Sequence, residues 1–231
     1  SKLKITGDAV FAFSPDAGIY VGDVNNENKR GSLFIDGATF TSKDSDEDWA
    51  GITIYNTADD QSTVLSNCII ENASNGVTCI GSDPTIINST FRDNQDAIDA
   101  DYNSTPLVSG NSFQGNHFPI KYYGKNIDST LYGNTYEGNY DSNDTSSTDF
   151  IYIYGDGDDQ RLYQDKVYDW LADGAPYRIT QDLHVWEDNS SNEIAILKIY
   201  PGAGLYFESG TRLQIGSTSD GDAGALQADS V

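Results

Sequence analysis

Val108-Ser-Gly-Asn-Ser-Phe-Gln-Gly-Asn116 returns further on as Leu131-Tyr-Gly-Asn-Thr-Tyr-Glu-Gly-Asn139. Two earlier versions precede them, Leu65-Ser-Asn-Cys-Ile-Ile-Glu-Asn-Ala73 and Ile86-Ile-Asn-Ser-Thr-Phe-Arg-Asp-Asn94. The equivalent residues Cys68, Ser89, Asn111 and Asn134 are 21, 22 and 23 apart (89−68, 111−89, 134−111). Gly76-Val77, Ala97-Ile98 and Pro119-Ile120 form a second column, Pro84 and Pro106 a third. Columns that share one period of this length mark a solenoid.

Each phrase alternates, which makes the solenoid one of strands. Cys68/Ile70, Ser89/Phe91, Asn111/Phe113 and Asn134/Tyr136 lie two apart, so each pair faces one side of a strand. Gly, Asn, Asp and Pro between phrases bend the chain and oppose helices. A rung of about 22 residues holds roughly three short strands with their turns. Successive rungs must stack in parallel to cover one another's apolar columns. Inward Asn111 and Asn134 are expected to hydrogen-bond along their column and to satisfy bent backbone at a corner. A leucine-rich repeat is the competing solenoid, but its L-x-x-L-x-L signature is missing.

With its loose N-x-F-x-x-N rungs, the chain resembles the right-handed parallel β-helix family over nearly all of residues 3–139. The expected fold is therefore all-β, a right-handed parallel β-helix of about 21–23 residues per rung. Residues 1–149 read as the rungs of one module and 150–174 as a connecting strand, acidic turn and linker. A short helix is expected within Leu162–Asp173. From 175 to 231 the chain starts over, because Leu197-Lys-Ile-Tyr-Pro-Gly-Ala-Gly-Leu-Tyr-Phe207 aligns with Leu3-Lys-Ile-Thr-Gly-Asp-Ala-Val-Phe-Ala-Phe13. The Lys-Ile-Tyr-Pro-Gly and Gly-Ala-Leu-Gln-Ala pieces look like the opening of β-helical modules in large secreted or surface-attached microbial proteins. That resemblance implies an extracellular or cell-surface fragment of something longer, with neighbouring β-helical modules. The absence of Met from all 231 residues points the same way.

A net charge of −23 excludes nucleic-acid binding and disfavours anionic membrane surfaces. No apolar run is long enough to cross a bilayer as a helix. Solubility, calcium binding and adaptation to high salt each account for the acidity. Cys68 and Cys79 fit no zinc spacing and share inward parity, so buried free thiols are expected. Calcium, the one expected cofactor, is assigned to acidic turns: Asp156, Asp158 and Asp159, then Asp44, Asp46 and Asp48, then Asp220 and Asp222.

Parallel β-helices include polysaccharide lyases and glycosidases, so Asp96, Asp99 and Asp101 are weighed as paired carboxylates. Arg92, Lys121 and Lys125 are the nearby cations. Flanking turns explain Asp96 and Asp101, and an outward Asp99–Lys121 pair reads as a surface ion pair. No catalytic residue is assigned. His117 reads as a turn residue, and His184, between Leu183 and Val185, as an outward strand residue. Outward Tyr123 and Tyr132 are the ligand-binding candidates, for a glycan or a surface protein. The expected role is a non-catalytic structural or adhesive module. The alternative is a β-helical polysaccharide lyase, glycoside hydrolase or carbohydrate-binding module.

Overall fold

A computed structural model describes residues 1–231 except 24, 45, 102, 124–126, 128–129, 141–148, 156–158, 163–165, 187–193, 217–222 and 229–231, and except the side chains of 159–161. Each coil turns through three strands before returning above itself. The first sheet stacks Lys2–Thr6, Ser32–Asp36, Val64–Ser66, Thr85–Ile87, Leu107–Ser109 and Leu131–Tyr132. The second stacks Val10–Phe13, Thr39–Ser42, Ile69–Glu71, Thr90–Arg92, Ser112–Gln114 and Thr135–Glu137. The third holds eight: Gly18–Val21, Gly51–Tyr55, Asn75–Ile80, Asp96–Ala100, Phe118–Tyr123, Ile151–Tyr154, Tyr177–Ile179 and Leu205–Phe207. Every pairing within these sheets is parallel.

The four phrases meet in the register that their spacing predicts. Leu65 pairs with Ile86, Ile86 with Val108, and Val108 with Leu131. Ile70, Phe91, Phe113 and Tyr136 form one inward column, with Phe113 stacked at 5.3 Å on both Phe91 and Tyr136. Offset-stacked rings at this separation add about 1 kcal/mol per pair beyond the area they bury.

Two amide ladders close the corners of these coils. In one, the backbone N–H groups of Ser89, Asn111 and Asn134 donate to Asn111 Oδ1, Asn134 Oδ1 and Asp173 Oδ1, each at 2.9 Å. In the other, the N–H groups of Ala73, Asn94, Asn116 and Asn139 donate to Asn94, Asn116, Asn139 and Asp149 at 3.0–3.1 Å. The expected ladder through Asn111 and Asn134 is present; the second is an addition. Asn88 (φ 51°) and Gly110 (φ 67°) hold a left-handed conformation just before a ladder residue, which turns the chain without unpairing it.

The third sheet runs without interruption past residues 150 and 175. Beside it a fourth sheet joins Asp159–Leu162, Asp182–Val185 and Leu213–Ile215, and a fifth joins Val167–Trp170, Ala195–Ile199 and Gly224–Ala228. The long-range sequence repeat does not keep its place in the coil. Phe13 belongs to the second sheet, whereas its counterpart Phe207 belongs to the third.

The expected helix within Leu162–Asp173 is not formed. Asp159–Leu162 and Val167–Trp170 are strands, and the latter pairs in parallel with Ile196–Ile199. Leu162, Val167, Trp170 and Leu171 share a helical face only nominally, since Val167 is exposed; Tyr168 and Trp170, two apart, are both buried, as one side of a strand requires. His184 is also corrected. It is 5 % exposed and stacks on Trp186 at 4.2 Å, because this strand is covered on both faces. Cys68 and Cys79 are buried free thiols. Burial pushes the Cys68 thiol up to about 11 and that of Cys79 well above its ordinary value, so both remain protonated and unreactive.

Candidate functional site

The coil presents its outward side chains on the third sheet in single file. Register partners run Tyr20, Thr53, Thr78, Asp99, Lys121, Tyr152, Arg178 and Tyr206, one from each strand. Neighbouring strands stand about 4.8 Å apart, so the file sets one group per step along the axis. Hydroxyls occupy its early part; charges and rings occupy the rest.

At the centre, Lys121 Nζ lies 2.9 Å from Asp96 Oδ2 and 3.9 Å from Asp99 Oδ2. The Tyr154 hydroxyl donates to Asp99 Oδ1 at 2.5 Å. Lys121 also sits 5.4 Å from the Phe118 ring and 5.5 Å from the Tyr154 ring. Side-chain exposures of 27 % for Lys121, 16 % for Asp96 and 23 % for Asp99 set this group apart from an ordinary surface ion pair. Burial lifts the Asp99 carboxyl above the usual carboxylate range, against the pull of Tyr154 and Lys121. Burial, and then the Asp99 charge, raises the Tyr154 phenol.

The file continues as an aromatic and cationic run. Tyr152 meets Phe118 edge-on at 4.5 Å, and Arg178 lies 5.4 Å from the Tyr152 ring and 5.5 Å from Phe150. Glu208 accepts from Arg178 Nε at 2.7 Å. Phe150 packs on Tyr206, which is 52 % exposed. Rings beside cations hold both in fixed poses; Tyr152 and Arg178 are themselves buried at 4 % and 8 % exposure, which leaves Tyr206 as the exposed ring of this run.

Of the two ligand-binding candidates, Tyr123 joins this surface, packed on Tyr154 at 4.5 Å. Tyr132 is exposed on the first sheet, in register with Ser109, and does not join it. Of the weighed carboxylates, Asp101 turns inward on backbone, accepting from Gly81 N and Ser104 Oγ. Arg92 pairs with Glu71 on the second sheet, and Lys125 lies outside the described residues. His117 packs on Phe118 at 4.1 Å, at the edge of the run.

Asp156, Asp158, Asp220 and Asp222 lie outside the described residues, and Asp159 opens a strand whose side chain is not described. Asp44 and Asp46 stand exposed, and Asp48 accepts from Gln95 Nε2 at 3.3 Å. Among the described residues no three His, Cys, Asp or Glu side chains gather as a metal site, and no helix is long and apolar enough to cross a membrane.

Sequence reasoning paired Asp99 with Lys121, left the side faced by Tyr152 and Tyr154 open, and missed Arg178 and Tyr206. The register partners of Tyr152, Arg178 and Tyr206 lie 31, 26 and 28 residues away in the chain (151−120, 177−151, 205−177), so the period that reveals the earlier rungs has gone. Parity within Phe150-Ile-Tyr-Ile-Tyr154, once anchored on buried Ile151 and Ile153, was the available signal.

Neither a search of curated proteins nor a search of solved structures finds a match. The family model described as the right handed beta helix region matches residues 1–159, more than half of the chain. With parallel three-strand coils across that span, the chain belongs to the right-handed β-helix family.

Proposed function

We propose that the chain is a non-catalytic binding and structural module of a larger extracellular or cell-surface protein. The outer face of the third sheet is its binding face, for a glycan or a surface-protein ligand, and neighbouring β-helical modules continue the rod. The file from Lys121 to Tyr206 carries this reading, because buried Tyr152 and Arg178 hold part-exposed Lys121 and exposed Tyr206 in place on a stiff scaffold. A net charge of −23 repels polyanions, so neutral polysaccharides head the candidates.

Calorimetric titration with neutral and acidic polysaccharides tests this. Binding should favour the neutral ones and weaken about tenfold in Tyr123→Ala or Tyr206→Ala, a typical loss for an aromatic anchor. Affinity that both variants leave untouched would sink the assignment of this face. Calcium at the acidic turns belongs to the same reading. Millimolar calcium should raise the melting temperature, and an unmoved melt removes the ion from the account.

One observation favours a carbohydrate-active enzyme as the second reading: Asp99, with its carboxyl lifted by burial, sits between a lysine and a phenol. Polysaccharide shortening that Asp99→Asn abolishes would support the enzyme over the binding module.

A further inference from the structure

We propose that Lys121 and Asp96 condense into an intramolecular isopeptide bond that staples two adjacent coils of the third sheet, with Asp99 moving the protons. This rests on neither functional reading above. Three observations carry it. The nucleophile and the carboxyl already touch, with Lys121 Nζ 2.9 Å from Asp96 Oδ2. A second carboxylate, that of Asp99, stands 3.9 Å from the same nitrogen. The group is largely withdrawn from water and bordered by the Phe118 and Tyr154 rings. Lys29 and Asp23 are just as close, at 2.8 Å, but that lysine is 67 % exposed.

The chemistry balances without an oxidant or a co-reactant. A proton passes from the Lys121 ammonium to Asp99, which frees the Nζ lone pair. Asp99 passes that proton to Asp96, which neutralises its carboxyl, and Nζ attacks Cγ. As the Nζ–Cγ bond forms, Asp99 takes a proton from Nζ and hands it to the departing hydroxyl, and one Cγ–O bond breaks to release water. An ammonium and a carboxylate thus become one amide and one water. Fixed contact replaces a bimolecular encounter. The Asp99 carboxyl, lifted by burial, is suited to carrying the proton.

The test is the intact mass of the purified chain, with peptide mapping. The wild-type chain should weigh one water less than its sequence, with a branched peptide joining Asp96 to Lys121. Lys121→Arg keeps the charge and the contact but cannot condense, so it should keep its full mass, as should Asp96→Ala. Asp99→Ala should slow or stop the loss. Closing this loop constrains the unfolded chain, so Lys121→Arg should melt about 10 °C below wild type. A wild-type chain that keeps its full mass after prolonged warming overturns the proposal. So does a water loss that persists in Lys121→Arg, because imide formation at Asp36-Gly37 or Asp173-Gly174 would then account for it.

Discussion

The coils between residues 64 and 139 and those from 150 onward share one sheet but are held by different means. In the first group the ladder partners recur every 21 to 23 residues, and the same amides settle corner after corner. In the second group the steps lengthen and large side chains take over: Trp170 packs on Tyr177 at 5.0 Å inside the coil, and Arg178 bridges Tyr152 and Glu208 on its outer face. A small repeated polar group suffices where every rung has one length. Where lengths vary, each rung needs its own large side chain, and the periodic signal fades with the ladder.

The contrast can be broken experimentally. Asn116→Ala would remove the acceptor of Asn94 N–H, the donor to Phe91 C=O and one of the two bonds of Asn94 Nδ2, which keeps Ile70 C=O, a loss of about 3 kcal/mol by urea unfolding. Thr180→Ala, which removes one bond to Ile153 C=O in the later coils, should cost only about 1 kcal/mol. Equal costs would show that the amides are no more than ordinary contacts.

Asp173 joins the two groups and sharpens the comparison. Buried at 1 % exposure, it accepts from Asn134 N, Asn134 Nδ2 and the Tyr136 hydroxyl. Asp173→Ala should cost about 3 kcal/mol. Hydrogen exchange should quicken in 167–215 while 85–116 keep their protection; uniform quickening would mean that one cooperative unit spans both.

The smallest effect is a pH dependence at Asp99. Its folded carboxyl holds a proton more tightly than the ordinary value of 3.8, so folding binds protons there. The resulting stability is fully present below that value and is lost as pH rises through the lifted one. Wild type should therefore gain on Asp99→Asn as the medium is acidified. A constant difference between about pH 3 and pH 7, across the carboxylate range, would contradict the assignment.

The fold was legible because the phrases supply period and parity together. Phe91, Phe113 and Tyr136 can share a column only if the chain coils. The second ladder was less legible, since Asn94, Asn116 and Asn139 sit where turn residues are expected anyway. His184 was misread because alternation places a residue inside or outside only when one face meets water. The binding face was half legible: Asp99 and Lys121 keep the rung period, whereas Tyr152, Arg178 and Tyr206 follow irregular loops. Asp149 and Asp173 carry no sequence mark of their role, as a carboxylate beside a ladder looks like any loop acid.

The ladders also have a direction. The bonds from one ladder side chain to the next all run in one sense and end at Asp173 and Asp149, while each amide's second hydrogen returns to a carbonyl of the preceding coil. A carboxylate takes hydrogens and has none to pass on, so it works as a full stop. New coils can therefore be spliced into the middle of the line, as duplication of a rung would do, but not appended beyond its final acid. The length of the regular rod is written at its terminators as much as in the number of its repeats.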